Sequence, residues 1–129
     1  MSARMRLSFR LLLVLALGGV SYLSFAPLAG LAPIEHLDKL GHLLAFLVLA
    51  WLADFAFPRR SFGSEKILPL LGFGLLIELV QQQLPYRQFS LLDWLADGLG
   101  VALYPLWVPL LRRLPVLSVR WRREVPSPG

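Results

Sequence analysis

The sequence predicts an all-α integral membrane protein, a bundle of four helices with both termini on the cytoplasmic side. Three observations lead there. Of 129 residues, 57% are apolar and only 16% charged, and the mean hydropathy is +0.64. Soluble domains average roughly 45–50% apolar and about 25% charged. The apolar residues also fall into four stretches, each close to the ~20 residues that a helix needs to cross a ~30 Å hydrocarbon core. Finally, eleven of the thirteen Lys and Arg residues gather at alternate ends of those stretches. The length leaves room for one domain.

Segment one runs from about Leu11 to Ala26, with an extension to Ala32, behind a basic start of Arg4, Arg6 and Arg10. Residues 1–32 read as an N-terminal transmembrane helix. The rival reading is a secretory signal peptide, because small residues around LAGLA resemble a cleavage site. Cleavage would leave three spans and an outside N-terminus, which also fits the charges of the remaining loops.

Segments two, three and four span about Leu40 to Phe57, Ile67 to Leu84 and Leu91 to Leu111. Helix is required in each, since backbone polar groups cannot go unpaired in lipid. The connections AFPRRSFGSEK and LPYRQFS are short, which implies antiparallel neighbours in a compact bundle. Residues 33–111 thus form a three-span core. Gly72, Gly74, Gly98 and Gly100 let helices approach closely, and Pro105 and Pro109 are expected to bend segment four. Residues 112–129 form a basic tail.

The basic residues fix the orientation. Those before segment one, between segments two and three, and after segment four share one side, leaving Lys39 and Arg87 on the other. The positive-inside rule makes the rich side cytoplasmic. The net charge of +5 therefore reads as topology and headgroup contact, with no nucleic-acid partner. The partners expected are the bilayer and, at the Arg-rich C-terminal tail, anionic lipids. The absence of cysteine excludes disulfides, zinc-thiolate sites and thiol nucleophiles.

The remaining polar residues concentrate at the outer level. Asp38, Lys39 and His42 open segment two; Glu78, Gln81 and Gln82 close segment three; Arg87 lies in the outer loop; Asp93 and Asp97 open segment four. At 100° per residue, Asp38 and His42 point about 40° apart, as do Asp93 and Asp97, while Glu78, Gln81 and Gln82 span about 100°. Glu78 sits six residues before Leu84, roughly 9 Å deep at ~1.5 Å per residue. A charge facing lipid there costs about 2.5–3.5 kcal/mol, against about 0.3–0.6 gained per large apolar side chain. The three faces are therefore expected to meet inside the bundle. Asp54 falls near the cytoplasmic end and is expected to pair with Arg59 or Arg60.

The ordered set DKLGH, ELVQQ and PYRQFSLLDWLADGLG resembles the VanZ-like family of small membrane proteins, over about Asp38 to Tyr104. That family's pattern is Asp-Lys-x-x-His at the start of one helix and Glu-x-x-Gln near the end of the next. An Arg-containing turn and Asp-x-x-x-Asn/Asp follow. The resemblance assigns these positions to Asp38, Lys39, His42, Glu78, Gln81, Arg87, Asp93 and Asp97, and it implies a link to teicoplanin-type resistance. The chain carries Asp97 where many relatives have Asn.

Three functions fit this pattern. The favoured one is binding, in which Arg87 and Lys39 contact phosphate or carboxylate on a lipid headgroup, a cell-envelope intermediate or a glycopeptide-type antibiotic. The alternative is an intramembrane enzyme acting on a lipid-linked substrate, with His42 and Asp38 as base and Glu78 as acid or base. The third is a structural role, the polar groups only holding the helices together. A proton relay is disfavoured because the cytoplasmic halves of segments two to four carry no acid except Asp54. No cofactor and no metal are expected, since one His with scattered acids is no recognised metal motif.

Overall fold

The computed structural model describes residues 1–26, 35–85 and 90–122, with 35–38 described by their backbone alone. Among them are four helices, α1 (Ala3–Phe25), α2 (Glu35–Ala56), α3 (Ser64–Gln82) and α4 (Leu91–Leu111), followed by a short 3-10 turn over Ser118–Trp121. No strand occurs among the described residues. The all-helical expectation holds. Three helices, Ala3–Phe25, Lys39–Ala56 and Leu91–Leu111, are long and apolar enough to cross a membrane by length and composition. The shorter α3, with 19 residues including Glu65, Lys66 and Glu78, is not among them.

Local chemistry sets the helix ends. Ser2 caps α1, its hydroxyl accepting from the Met5 N–H at 3.1 Å. The helix therefore starts well before the apolar stretch at Leu11 and takes Arg4, Arg6 and Arg10 into its first turns. Ser90 caps α4 in the same way, accepting from the Asp93 N–H at 3.3 Å. Such caps satisfy backbone donors that have no partner inside the helix.

The exterior is rich in large apolar side chains, and several ionisable groups are buried beside an apolar core. Leu68, Leu76 and Leu79 of α3 and Leu91, Leu95, Leu99 and Leu106 of α4 are exposed, while Asp54, Lys66, Glu78, Asp93 and Asp97 are buried. In water, charged groups are almost never buried unless paired; in a bilayer they face the bundle interior.

The broadest helix pairing is α2 with α4. Its closeness depends on Gly100, where a Cβ would lie 2.2 Å from the Leu43 carbonyl oxygen. Phe46, Leu49, Ala50 and Ala53 of α2 pack there with Val101 and Tyr104 of α4 and Leu70 of α3. Glycine is not used uniformly for packing. Gly72, expected at an interface, would place a Cβ in open space, whereas a Cβ on Gly74 would meet the Asp97 carboxylate at 2.8 Å. A second cluster at the other end of α2 joins Phe9, Leu52, Phe55 and Ala56, with Trp121 set edge-on to Phe55 at 5.4 Å.

That end is closed by a polar knot. The Asp54 carboxylate, 2% exposed, accepts from Lys66 Nζ at 2.7 Å, from Arg120 Nη2 at 2.8 Å and from the Tyr104 hydroxyl at 2.6 Å. Arg120 also donates to the Pro58 carbonyl at 2.7 Å. The sequence-based pairing of Asp54 with Arg59 or Arg60 is thus corrected. Arg60 is engaged by Glu65, and its carbonyl accepts from Lys66 and Arg120. The chain after α4 folds back far enough to deliver a cation to Asp54 first.

Candidate functional site

At the opposite end of the bundle, α2, α3 and α4 converge through ionisable side chains. One turn of α2 places Lys39 and His42 toward α4, and one turn of α4 places Asp93 and Asp97 toward α2. Lys39 Nζ lies 3.7 Å from Asp93 Oδ1. His42 reaches both acids, with Nδ1 at 2.8 Å from Asp97 Oδ1 and Nε2 at 3.8 Å from Asp93 Oδ2. The third helix contributes Glu78, whose Oε2 accepts from the Ser90 N–H at 3.1 Å. That bond ties the end of α3 to the start of α4.

The site is graded in depth. The Lys39 side chain is 39% exposed and that of His42 13%, whereas Glu78 and Asp97 are both fully buried. Gly74 makes the deepest position available, since any Cβ there would occupy the space taken by the Asp97 carboxylate. The other carboxylate oxygen of Glu78, Oε1, is buried with no hydrogen-bond partner among the described residues. An acceptor left in that state is costly in a low-dielectric interior.

The glutamines separate from this group. Gln81 is buried, but its amide donates to the Ser24 carbonyl at 2.9 Å and so binds α3 to α1. Gln82, expected in the same sector as Glu78, is exposed. The buried residues of α3 all lie to one side of Glu78 in helical phase, Gln81 among them, whereas Gln82 lies about 40° to the other side. Arg87 and the side chain of Asp38 lie outside the described residues. Of the nine residues expected, Lys39, His42, Glu78, Asp93 and Asp97 are brought together.

Three partners went unforeseen. The Ser90 amide and the Ser24 carbonyl are backbone groups, which leave no mark in a pattern of side chains. Trp94, whose indole donates to the Leu71 carbonyl at 3.0 Å, sits one residue after Asp93; an indole inside an apolar run needs an acceptor, and that was the available signal.

Chemically, the arrangement offers an imidazole oriented through Nδ1 by a buried carboxylate, with a cationic side chain at the rim. One ligand atom from each of His42, Glu78 and Asp97 also lies within 4.8 Å of the others, so these three residues could hold a metal ion. Imidazole suits zinc and other transition metals, and carboxylates suit harder cations as well.

No family model matches the chain. The chain is similar to an uncharacterized protein of Schizosaccharomyces pombe, 33% identical over 107 residues, which cover 80% of this chain and 64% of that protein. The chain thus spans less than two thirds of the relative's length. No solved structure matches.

Proposed function

We propose that the chain is a VanZ-like, four-span protein of a bacterial inner or plasma membrane, with both termini cytoplasmic and a binding site at the outward end of the bundle. Its ligand class is a lipid headgroup, a cell-envelope intermediate or a glycopeptide-type antibiotic. The observation that carries this reading is the graded cluster itself, with Lys39 at the rim, His42 and Asp93 below it, and Asp97 and Glu78 at the bottom. A wet rim over buried, oriented carboxylates suits recognition of a polar group that arrives from the membrane surface. Exposed leucines on α3 support counting it as the fourth span. The gathering of Arg10, Lys66 and Arg120 around the ends of α2 and α3 supports a cytoplasmic face there.

The test is equilibrium binding of radiolabelled polyprenyl phosphate and of labelled teicoplanin to the full chain in nanodiscs. Lys39→Ala and Arg87→Ala are expected to reduce binding of one of these probes at least tenfold with insertion unchanged. Binding of both probes at wild-type strength in the double variant would overturn the proposal.

A second reading is favoured by one contact. Asp97 holds His42 through Nδ1, the arrangement by which a carboxylate orients an imidazole for general-base work. On that reading the chain is an intramembrane enzyme acting on a lipid-linked substrate, with His42 as base and Glu78 as acid. Product release from a labelled lipid diphosphate, abolished by His42→Gln, would separate it from binding alone.

A further inference from the structure

The loop from α2 to α3 folds against the first turns of α1 and forms with them a half-open cavity of about 350 Å³, lined by Arg6, Arg10, Phe57, Pro58, Arg59 and Arg60. Four of its six lining residues carry guanidinium groups, and none carries a carboxylate. It lies beside Ala56, at the opposite end of α2 from His42. It is therefore separate from the site proposed above.

The arginines are held in place without exhausting their donors. Arg10 Nε donates to the Ala56 carbonyl at 3.0 Å, and its guanidinium lies over the Phe57 ring, 5.0 Å from the centroid. Arg6 donates one Nη1 bond to the Met1 carbonyl at 2.9 Å. Arg60 is paired with Glu65. A guanidinium has five N–H groups, so each of these arginines keeps donors after its structural bonds are made. Flanking charges that only set topology need not converge, and Arg112, in the basic stretch after α4, lies over Trp121 instead. Here two arginines from one helix and two from a loop line a single concavity.

Arginine recognises phosphate through paired, parallel N–H donors. The cavity falls in the ~300–1,000 Å³ range of small-ligand sites. Leu7 and Leu11, neighbours of these arginines on α1, are both 56% exposed, which gives an acyl chain an apolar track next to the charged cavity. We infer that this cavity binds the phosphodiester headgroup of an anionic lipid at the basic end of the bundle.

The experiment is native mass spectrometry of the full chain released from detergent, after equilibration with phosphatidylglycerol, phosphatidylcholine or inorganic phosphate. One phosphatidylglycerol is expected to be retained, and phosphatidylcholine is not. Arg6→Gln with Arg59→Gln should lower that retention at least tenfold, while Arg4→Gln, exposed and outside the cavity, leaves it unchanged. Arg10 is left intact because it also caps α2. Should the double variant fail to keep its helical circular dichroism, Arg59→Gln alone, at an exposed side chain, is expected to lower retention several-fold. Equal retention of phosphatidylcholine, or retention indifferent to these substitutions, would overturn the inference. Inorganic phosphate binding as tightly as the lipid would overturn the lipid assignment in favour of a free-phosphate site. Neither result would bear on the outward site, whose residues are untouched.

Discussion

His42 Nδ1 lies 2.8 Å from Asp97 Oδ1, and this contact joins α2 to α4 at a point where the carboxylate is fully buried. Removing one member of a buried pair leaves the other desolvated and costs about 3–5 kcal/mol. Asp97→Leu should therefore lower the midpoint of unfolding in mixed micelles by that equivalent. Asp97→Asn keeps an acceptor for the imidazole and is expected to insert and fold close to wild type. Parallel loss of stability and binding in both variants would return the cluster to a purely structural role.

Gly100 and Gly72 form a matched pair of probes. A methyl group at Gly100 meets the Leu43 carbonyl oxygen, whereas at Gly72 it meets nothing within 4 Å. Gly100→Ala should destabilise by about 1–3 kcal/mol, as overpacking does, and it has only backbone to push against. Gly72→Ala should be neutral or slightly stabilising, since alanine favours helix by about 1 kcal/mol. Equilibrium unfolding of the two variants side by side checks this directly.

The knot at Asp54 should behave as structure without function. Tyr104→Phe removes a single hydrogen bond to a carboxylate, worth about 1.5–3 kcal/mol. Asp54→Ala strands Lys66 and Arg120 and should cost more, about 3–5 kcal/mol. In variants that still insert, ligand affinity at the far end of α2 is expected to stay at the wild-type value.

Because the chain has no cysteine, single thiols report the path of α3. Ser61 and Gln83, both exposed, flank that helix. With α3 across the bilayer, Gln83→Cys reacts with an impermeant maleimide in intact cells and Ser61→Cys reacts only once the inner face is opened. Reaction of both from the same side would take α3 out of the membrane.

The helices were legible because each stretch is long, mostly apolar and bounded by a basic residue, Pro or a capping Ser. Arg4, Arg6 and Arg10 read as flanks of the apolar stretch, and Ser2 caps the helix ahead of them, inside the residues 1–32 assigned to the first span. The meeting of Lys39, His42, Glu78, Asp93 and Asp97 was foreseen from phase and depth, both of which are local quantities. Lys66, Arg120 and Tyr104 around Asp54 were not foreseen. Their partnership depends on where the chain travels after α4, and no local period encodes that. Gln82 shows the same limit from the other side. Phase gives a direction around one helix, but only packing decides how much of the circumference a neighbour covers.

Arg120 follows the last long helix in sequence yet completes the coordination of a carboxylate on the second. During synthesis Asp54 and Lys66 are therefore already made, and ready to neutralise each other, long before the third charge leaves the ribosome. Without Arg120 the carboxylate would still have Lys66 and the Tyr104 hydroxyl as partners.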